Sequence, residues 1–138
     1  MQAVYLNYMT LSFEMSIQRK QGQWGEDQAV SYILNQGLIL LERNWRYKRA
    51  EIDIIAKEGE ILVFIEVKTR SYTDFGRPEE KVGKQKQRFL IDAGMAYMRS
   101  IGHDWEIRFD IVSVLGKPGD KIDVRHFRDA FFPGLGYK

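Results

Sequence analysis

The sequence contains no cysteine and only two histidines, His103 and His126, among 138 residues. The absence of cysteine excludes disulfides, thiolate zinc sites, iron–sulfur clusters and cysteine nucleophiles. The two histidines lie far apart and form no H-x-x-x-H pair, which disfavours a histidine-built zinc site. A chain without cysteine fits a reducing compartment, and we expect a cytoplasmic protein.

Long apolar runs and a strong excess of one charge are also lacking. The longest purely apolar stretch, residues 61–65, is far shorter than the roughly 20 residues of a transmembrane helix, so no membrane association is expected. Residues 1–14 lack the basic start and apolar core of a secretory signal. With 21 basic and 19 acidic residues the net charge is +2, so a polyanionic partner must be argued from local clusters.

The remaining composition is that of a globular protein, with 44% hydrophobic and 29% charged residues. A chain of this length fits one domain, since domains commonly have about 100–200 residues. A second methionine, Met15, suggests where that domain starts. We divide the chain into an N-terminal extension at residues 1–15, one folded domain at residues 16–128 and a C-terminal tail at residues 129–138.

The hydrophobic pattern predicts the element order α-β-β-β-α-β. Helical spacing predicts a first helix over residues 22–36, ended by Gly37, and a second helix that follows a loop at Gly76 and Pro78 and ends near Ser100. Strands are predicted over residues 38–46, 51–56, 61–68 and 106–115, with a short strand or edge at 122–127. A hairpin followed by a helical crossover gives an α/β fold with a mixed central sheet flanked by helices.

Acidic residues interrupt the predicted hairpin. A two-residue turn at Glu58 and Gly59 would place Asp53 diagonal to Glu66 on one face, with Cα atoms about 7–8 Å apart. Their carboxylates would then converge on one metal ion, with Glu51, opposite Glu66, as a secondary candidate. A slip of one residue would instead put the acids on opposite faces.

Lys68 lies on the same face, two residues beyond Glu66. These charges alternatively form a solvated ion network at the end of the strand. We favour a metal site because Glu66 directly extends the apolar run at residues 61–65, where an unpaired charge is costly.

Two more charged residues occupy helix positions that should face the core. Glu26 lies on the stripe of Ala29 and Ile33, where it either complements the helix dipole or approaches the metal as a third carboxylate. Lys86 lies on the corresponding stripe of the second helix, where it either snorkels from the core edge or contacts a phosphate.

Basic residues flank the acidic positions on both sides in the sequence. The predicted nucleic-acid contacts are Arg43, Arg46, Lys48, Arg49, Arg70, Lys84, Lys86 and Arg88. Charge runs of this kind are often only a solvated surface. Because both groups flank the same carboxylates, we favour a phosphate-backbone footprint on nucleic acid, DNA rather than RNA.

Several segments in this order resemble the YraN family of small bacterial endonuclease-like proteins. They are GQWGE at 22–26 with Ala29 and Gly37, EIDII at 51–55, FIEVKTR at 64–70, Val82, Lys86, and RFDIV at 108–112. Ala50 stands where the family usually has glycine, and residues 1–14 match nothing in it. The resemblance implies a restriction-endonuclease-like αβββαβ core, similar to archaeal Holliday-junction resolvases.

These residues support the hypothesis of a metal-dependent endonuclease that acts on structured or branched nucleic acid. Asp53 and Glu66, with the Val67 backbone carbonyl, would hold Mg²⁺ or Mn²⁺. Lys68 would orient the attacking water or stabilise developing charge. Glu26 would hold a second ion or position water.

Two other functions are compatible with the same residues. The main alternative is a nucleic-acid-binding module that has a nuclease-like fold and does not cut. The intact set of acids and lysine disfavours it. An assembly protein that uses the aromatic residues near the C-terminus is a third reading. Cleavage of both strands of a symmetric junction would favour a homodimer.

Overall fold

A computed structural model describes residues 2–72 and 82–132. Helix α1 (Gln2–Asn35) is followed by β1 (Ile39–Tyr47), β2 (Ala50–Glu58) and β3 (Ile61–Arg70). Helix α2 (Lys84–Ser100) then leads to β4 (Ile107–Leu115) and β5 (Asp123–Phe131). The predicted loop at Gly76 and Pro78 and residues 133–138 of the predicted tail lie outside the described residues. No helix in the described ranges has the length and apolarity needed to cross a membrane.

The strands form one sheet in the order β1-β2-β3-β4-β5. Strands β3 and β4 are parallel because α2 carries the chain across one face of the sheet, and the other neighbours are antiparallel. The predicted α/β fold with a mixed sheet and the αβββαβ order is therefore confirmed, with β5 added at the edge next to β4.

Each face of the sheet is covered by one helix. Ala29 and Ile33 of α1 are fully buried against Ile54, Val63 and other residues of one face. Helix α2 packs on the opposite face, where Gly94 allows a close approach because a Cβ there would come within 2.9 Å of the Phe109 ring. The sheet is thus apolar on both faces, as expected when helices cover both.

Both ends of the predicted domain differ from the structure. Helix α1 begins at Gln2 instead of residue 22, because the preceding residues include no proline or glycine that would stop it. Residues 6–20 are exposed along its length. Strand β5 runs to Phe131, whose ring stacks on Phe109, so the predicted tail boundary at residue 129 falls within this strand.

The predicted hairpin register is wrong by two residues. Glu58 pairs with Ile61, so the turn consists of Gly59 and Glu60. Gly59 has a φ of 59°, and the two-residue hairpin turns require a positive φ at their first central position. Glycine therefore takes the first position of the turn, not the second, and this register brings Asp53, not Glu51, level with Glu66.

Candidate functional site

The hairpin strands separate where the acidic residues lie. The β2–β3 ladder ends at the pair Ile54 and Ile65, and the next residues at this end are Asp53 and Glu66. Beyond that point β2 stays paired with β1, and β3 stays paired with β4. The Val67 N–H donates a hydrogen bond of 2.8 Å to Asp53 Oδ2, so this carboxylate lies between the diverging strands.

The point where β2 and β3 diverge, next to Ile54 and Ile65, is called the fork below. It opens into a polar cleft of about 440 Å³. Its lining comes from α1, β1, β2 and β3 and consists of Arg19, Gly22, Gln23, Glu26, Asn44, Glu51, Asp53, Glu66, Val67 and Thr69. All four acidic residues proposed from the sequence thus line one cleft. Lys68 is not in its lining.

Asp53 has an unfavourable environment for its negative charge. Burial, then the charge of Glu66, raises its pKa from 3.8 to about 7, with a smaller contribution from Glu26. The Val67 N–H and the charge of Lys86 lower the pKa but do not offset these effects. A cation near Asp53 would remove much of this cost.

Glu66 is 6% exposed, and one of its oxygens accepts a hydrogen bond from the ammonium group of Lys86. The Lys86 side chain is half exposed, so this cation reaches from the rim of α2 to a buried carboxylate. Lys68 pairs with Ser113 in the β3–β4 ladder and is half-buried. The Lys68 side chain forms no hydrogen bond or ion pair with another residue in the described ranges.

Asn44 connects the two outer acids of the cleft and was missed by sequence reasoning. Its amide nitrogen donates to Glu26 at 2.8 Å and to Glu51 at 3.0 Å. The backbone of Asn44 has a φ of 52°, a region that asparagine tolerates better than most residues. Glu51 also binds Arg46 at 3.0 Å. An asparagine within a strand of β-formers was the signal that could have identified this position.

The close contact of α1 with β3 depends on Gly25. A Cβ at this position would lie 1.9 Å from Thr69 Oγ1, so any other residue would force the elements apart. Gly25 precedes Glu26, and Thr69 follows Lys68, so the contact fixes the distance across the cleft.

The predicted basic residues are in different environments. Arg43 binds Asp27 at 2.7 Å, and Lys48 lies over the Tyr47 ring. Lys84, Arg88 and Arg49 are exposed. The Arg70 guanidinium donates to the Thr69 carbonyl and has further interactions. Arg19, which no prediction included, reaches the cleft from α1.

The RFDIV segment contributes a separate buried network. Asp110 is fully buried and accepts hydrogen bonds from Arg108 at 2.8 and 2.9 Å and from the Asp129 N–H at 2.9 Å. His126 Nε2 lies 2.7 Å from the same carboxylate. Arg108 also binds Glu58, at the end of β2 opposite to the cleft. This network therefore joins β2, β4 and β5 and does not contribute to the cleft.

Among the residues that the structure describes, no three histidine, cysteine or acidic side chains are arranged to hold a metal ion. The acids form two subsets, Asp53 with Glu66, and Glu26 with Glu51, which are linked by Asn44. A cation held by Asp53 and Glu66 would therefore need further ligands in addition to these two carboxylates.

The sequence matches the model of the uncharacterised protein family UPF0102 over residues 25–114. A UPF0102 protein of Flavobacterium psychrophilum is 45% identical over 111 residues, covering 80% of this chain and 92% of the relative. One from Flavobacterium johnsoniae is 42% identical, with 86% and 98% coverage. One from Rhodococcus jostii is 40% identical, with 80% and 94% coverage. The matched region contains β1 to β4, α2 and every acidic residue of the cleft.

Proposed function

This chain belongs to the UPF0102 (YraN) family, and we propose that it is a metal-dependent endonuclease acting on structured or branched nucleic acid. The observation that carries the proposal is the convergence of Asp53 and Glu66 at the fork between β2 and β3. A carboxylate such as Asp53, whose pKa is raised by burial and by a neighbouring carboxylate in a cleft, is typical of functional sites.

The donor set fits one Mg²⁺ or Mn²⁺ ion. Mg²⁺ is usually held by one or two carboxylates, with water and substrate phosphate as its other ligands. Asp53 and Glu66, with the Val67 carbonyl, would supply the protein ligands, and the cleft leaves room for the others. Such an ion would polarise the scissile phosphate and acidify a bound water.

The other charged groups have roles that follow from their positions. The Lys68 side chain has no partner in the described part of the chain and lies two residues beyond Glu66 on β3, so its ammonium would be available to orient water or stabilise charge on the phosphate. The Lys86 ammonium group pairs with Glu66 in the absence of a cation or substrate. When either enters the cleft, this ammonium group would move from Glu66 to a phosphate oxygen. Glu26 and Glu51, held by Asn44, would position water on the far side of the cleft.

Exposed cations on the elements near the cleft would supply the contacts to nucleic acid. Lys84 and Arg88 each lie two residues from Lys86 on α2, Arg49 lies at the β1–β2 turn, and Arg19 of α1 lines the cleft. Such contacts to phosphates position a substrate by its shape and carry little base information. In this proposal the preferred substrate is DNA, and the protein acts in the cytoplasm.

The test is cleavage of labelled duplex, single-stranded, flap and four-way-junction DNA and of RNA, with Mg²⁺, Mn²⁺ or EDTA. We expect metal-dependent cutting by the wild type that is lost in Glu66→Ala, while binding changes little. Glu60→Ala, which removes an exposed acid from the hairpin turn, is the matched control and should cut normally. Metal-dependent cutting that persists in Glu66→Ala would contradict the assignment.

The ion pair between Lys86 and Glu66 favours a second candidate, a nucleic-acid-binding module that does not cut. A lysine that permanently neutralised Glu66 would keep a metal out. The same cleavage experiment distinguishes the two candidates, because a binding module would bind nucleic acid but leave every substrate uncut with either metal.

A further inference from the structure

A second cavity lies beside the turn between β1 and β2, on the side of the sheet that α2 covers. It has a volume of about 210 Å³ and is lined by Tyr47, Lys48, Arg49, Ala50, Phe89 and Asp92. Tyr47 and Phe89 are half-buried and pack against the hydrophobic core on this side. Because a cavity of about 150 Å³ can admit benzene, this one has room for a planar ring.

The charged groups of this cavity have few partners. Arg49 and Asp92 are exposed, and neither side chain forms a hydrogen bond or ion pair with another residue in the ranges described. Lys48 Nζ lies 5.3 Å from the centroid of the Tyr47 ring. The rings of Tyr47 and Phe89 suit stacking of a base, and Lys48 and Arg49 suit contacts to its phosphates. The Asp92 carboxylate would repel an anionic group from the cavity itself.

Helix α2 connects the cavity to the acidic cleft. On α2, Phe89 follows Lys86 by three residues, which places the two Cβ atoms on one face about 5–6 Å apart. Lys86 binds Glu66, which lines the cleft. A strand with a phosphate bound by Lys86 would therefore place a neighbouring nucleotide near the cavity.

We infer that this cavity binds one unpaired nucleobase that carries an exocyclic amino group. The base would stack on Tyr47 or Phe89 and donate to the Asp92 carboxylate, as cytosine N4 donates to acidic residues in DNA complexes. Thymine has no such amino group. The inference rests on the proposed nuclease function and narrows its substrates to those with an unpaired nucleotide beside the cleavage point.

The test is equilibrium binding of fluorescently labelled oligodeoxycytidine and oligothymidine of equal length, measured by anisotropy in EDTA so that neither is cut. We expect the wild type to bind oligodeoxycytidine about tenfold more tightly. Asp92→Asn should remove most of that preference. Asp104→Asn, at an exposed acid outside the cavity, should keep it. Phe89→Ala should weaken binding of both strands about tenfold, with a melting curve to verify folding.

Equal binding of the two oligonucleotides by the wild type would overturn the inference, as would a preference that Asp92→Asn leaves unchanged. Either result leaves the proposed nuclease intact if Glu66-dependent cleavage is observed. If the wild type binds neither oligonucleotide and cuts nothing in the substrate panel, both the cavity inference and the proposed function are contradicted.

Discussion

The residue with the least favourable environment is Asp53. Its pKa is raised from 3.8 to about 7 by burial and by the charge of Glu66. The folded protein therefore binds a proton between these pH values that the unfolded chain releases, so this group lowers stability as pH rises from about 4 to 7. In the proposed function, a bound cation would offset this cost.

Replacing Asp53 with asparagine should stabilise the protein. Asparagine keeps an oxygen that can accept the Val67 N–H bond but carries no charge beside Glu66. We expect a gain of about 1 kcal/mol at pH 8, or about 3–6 °C in melting temperature. The gain should shrink toward pH 4, where the carboxyl of the folded wild type is protonated and no longer carries a buried charge. Thermal melting from pH 4 to 8 measures it, and a difference that does not vary with pH would refute this explanation.

Asp110 should behave in the opposite way. Burial alone would raise its pKa, but bonds from His126, Arg108 and the Asp129 N–H lower it below 3.8. Its contribution to stability is present above that value and is lost as pH falls through the lowered pKa. Asp110→Asn should cost about 3 kcal/mol because Arg108 loses its buried partner.

Denaturant unfolding at pH 7 and pH 3 tests this assignment. The variant should be much less stable than the wild type at pH 7, and the difference should narrow in acid. A cost below about 0.5 kcal/mol at pH 7 would show that the buried network contributes little.

At the scale of elements, the position of α1 relative to β3 depends on a single glycine. Gly25→Ala would bring a Cβ within 1.9 Å of Thr69 Oγ1, so the helix must shift away from the strand. We expect a loss of about 1–3 kcal/mol and reduced cleavage, because the shift moves Glu26 across the cleft.

Gly22→Ala provides a matched control on the same helix, one turn earlier. Nothing lies within 4 Å of a Cβ at Gly22, so alanine should stabilise the helix by up to about 1 kcal/mol. Thermal melting and cleavage rates of both variants check the prediction. Equal behaviour of the two alanines would mean that the helix–strand contact is not a constraint.

The sequence predicts elements better than it predicts their relative positions. Periodicity placed every described strand within a few residues of its observed position, because alternation and apolar runs are local signals. The turn was misplaced because Glu58-Gly59 and Gly59-Glu60 are both plausible pairs, and only the requirement for a positive φ at Gly59 decides between them. The fork at Asp53 could not be predicted, since it depends on where two strands separate.

The site was predictable to the same extent. Asp53, Glu66 and Glu26, which line one cleft, could be predicted as site residues because a charge in an apolar pattern is visible in the sequence. The predicted register was wrong by two residues, and a shift by an even number leaves each side chain on the same face of the sheet. The prediction that the acids converge therefore did not depend on the exact register. Asn44 was not found, because its bonds to Glu26 and Glu51 join segments that are distant in sequence.

At the scale of the whole molecule, the first turns of α1 contribute little to the core. Residues 6–20 are all exposed, whereas Ala29 and Ile33 are fully buried. A chain that starts at Met15 should therefore melt within about 2 °C of the full chain and cut equally well, since Arg19 and Gln23 remain in the cleft. A fall of more than about 10 °C in melting temperature would show that the first turns stabilise the domain.

The two carboxylates at the strand fork are the central claim, and Asp53 tests it most directly because its replacement is not expected to unfold the protein. The measurement is the single-turnover cleavage rate of the best DNA substrate in Mg²⁺, for the wild type and Asp53→Asn. We predict a loss of about 10³-fold or more in a variant that is at least as stable as the wild type. A rate within about tenfold of the wild type would contradict the account, because the reaction would then not depend on the carboxylate pair.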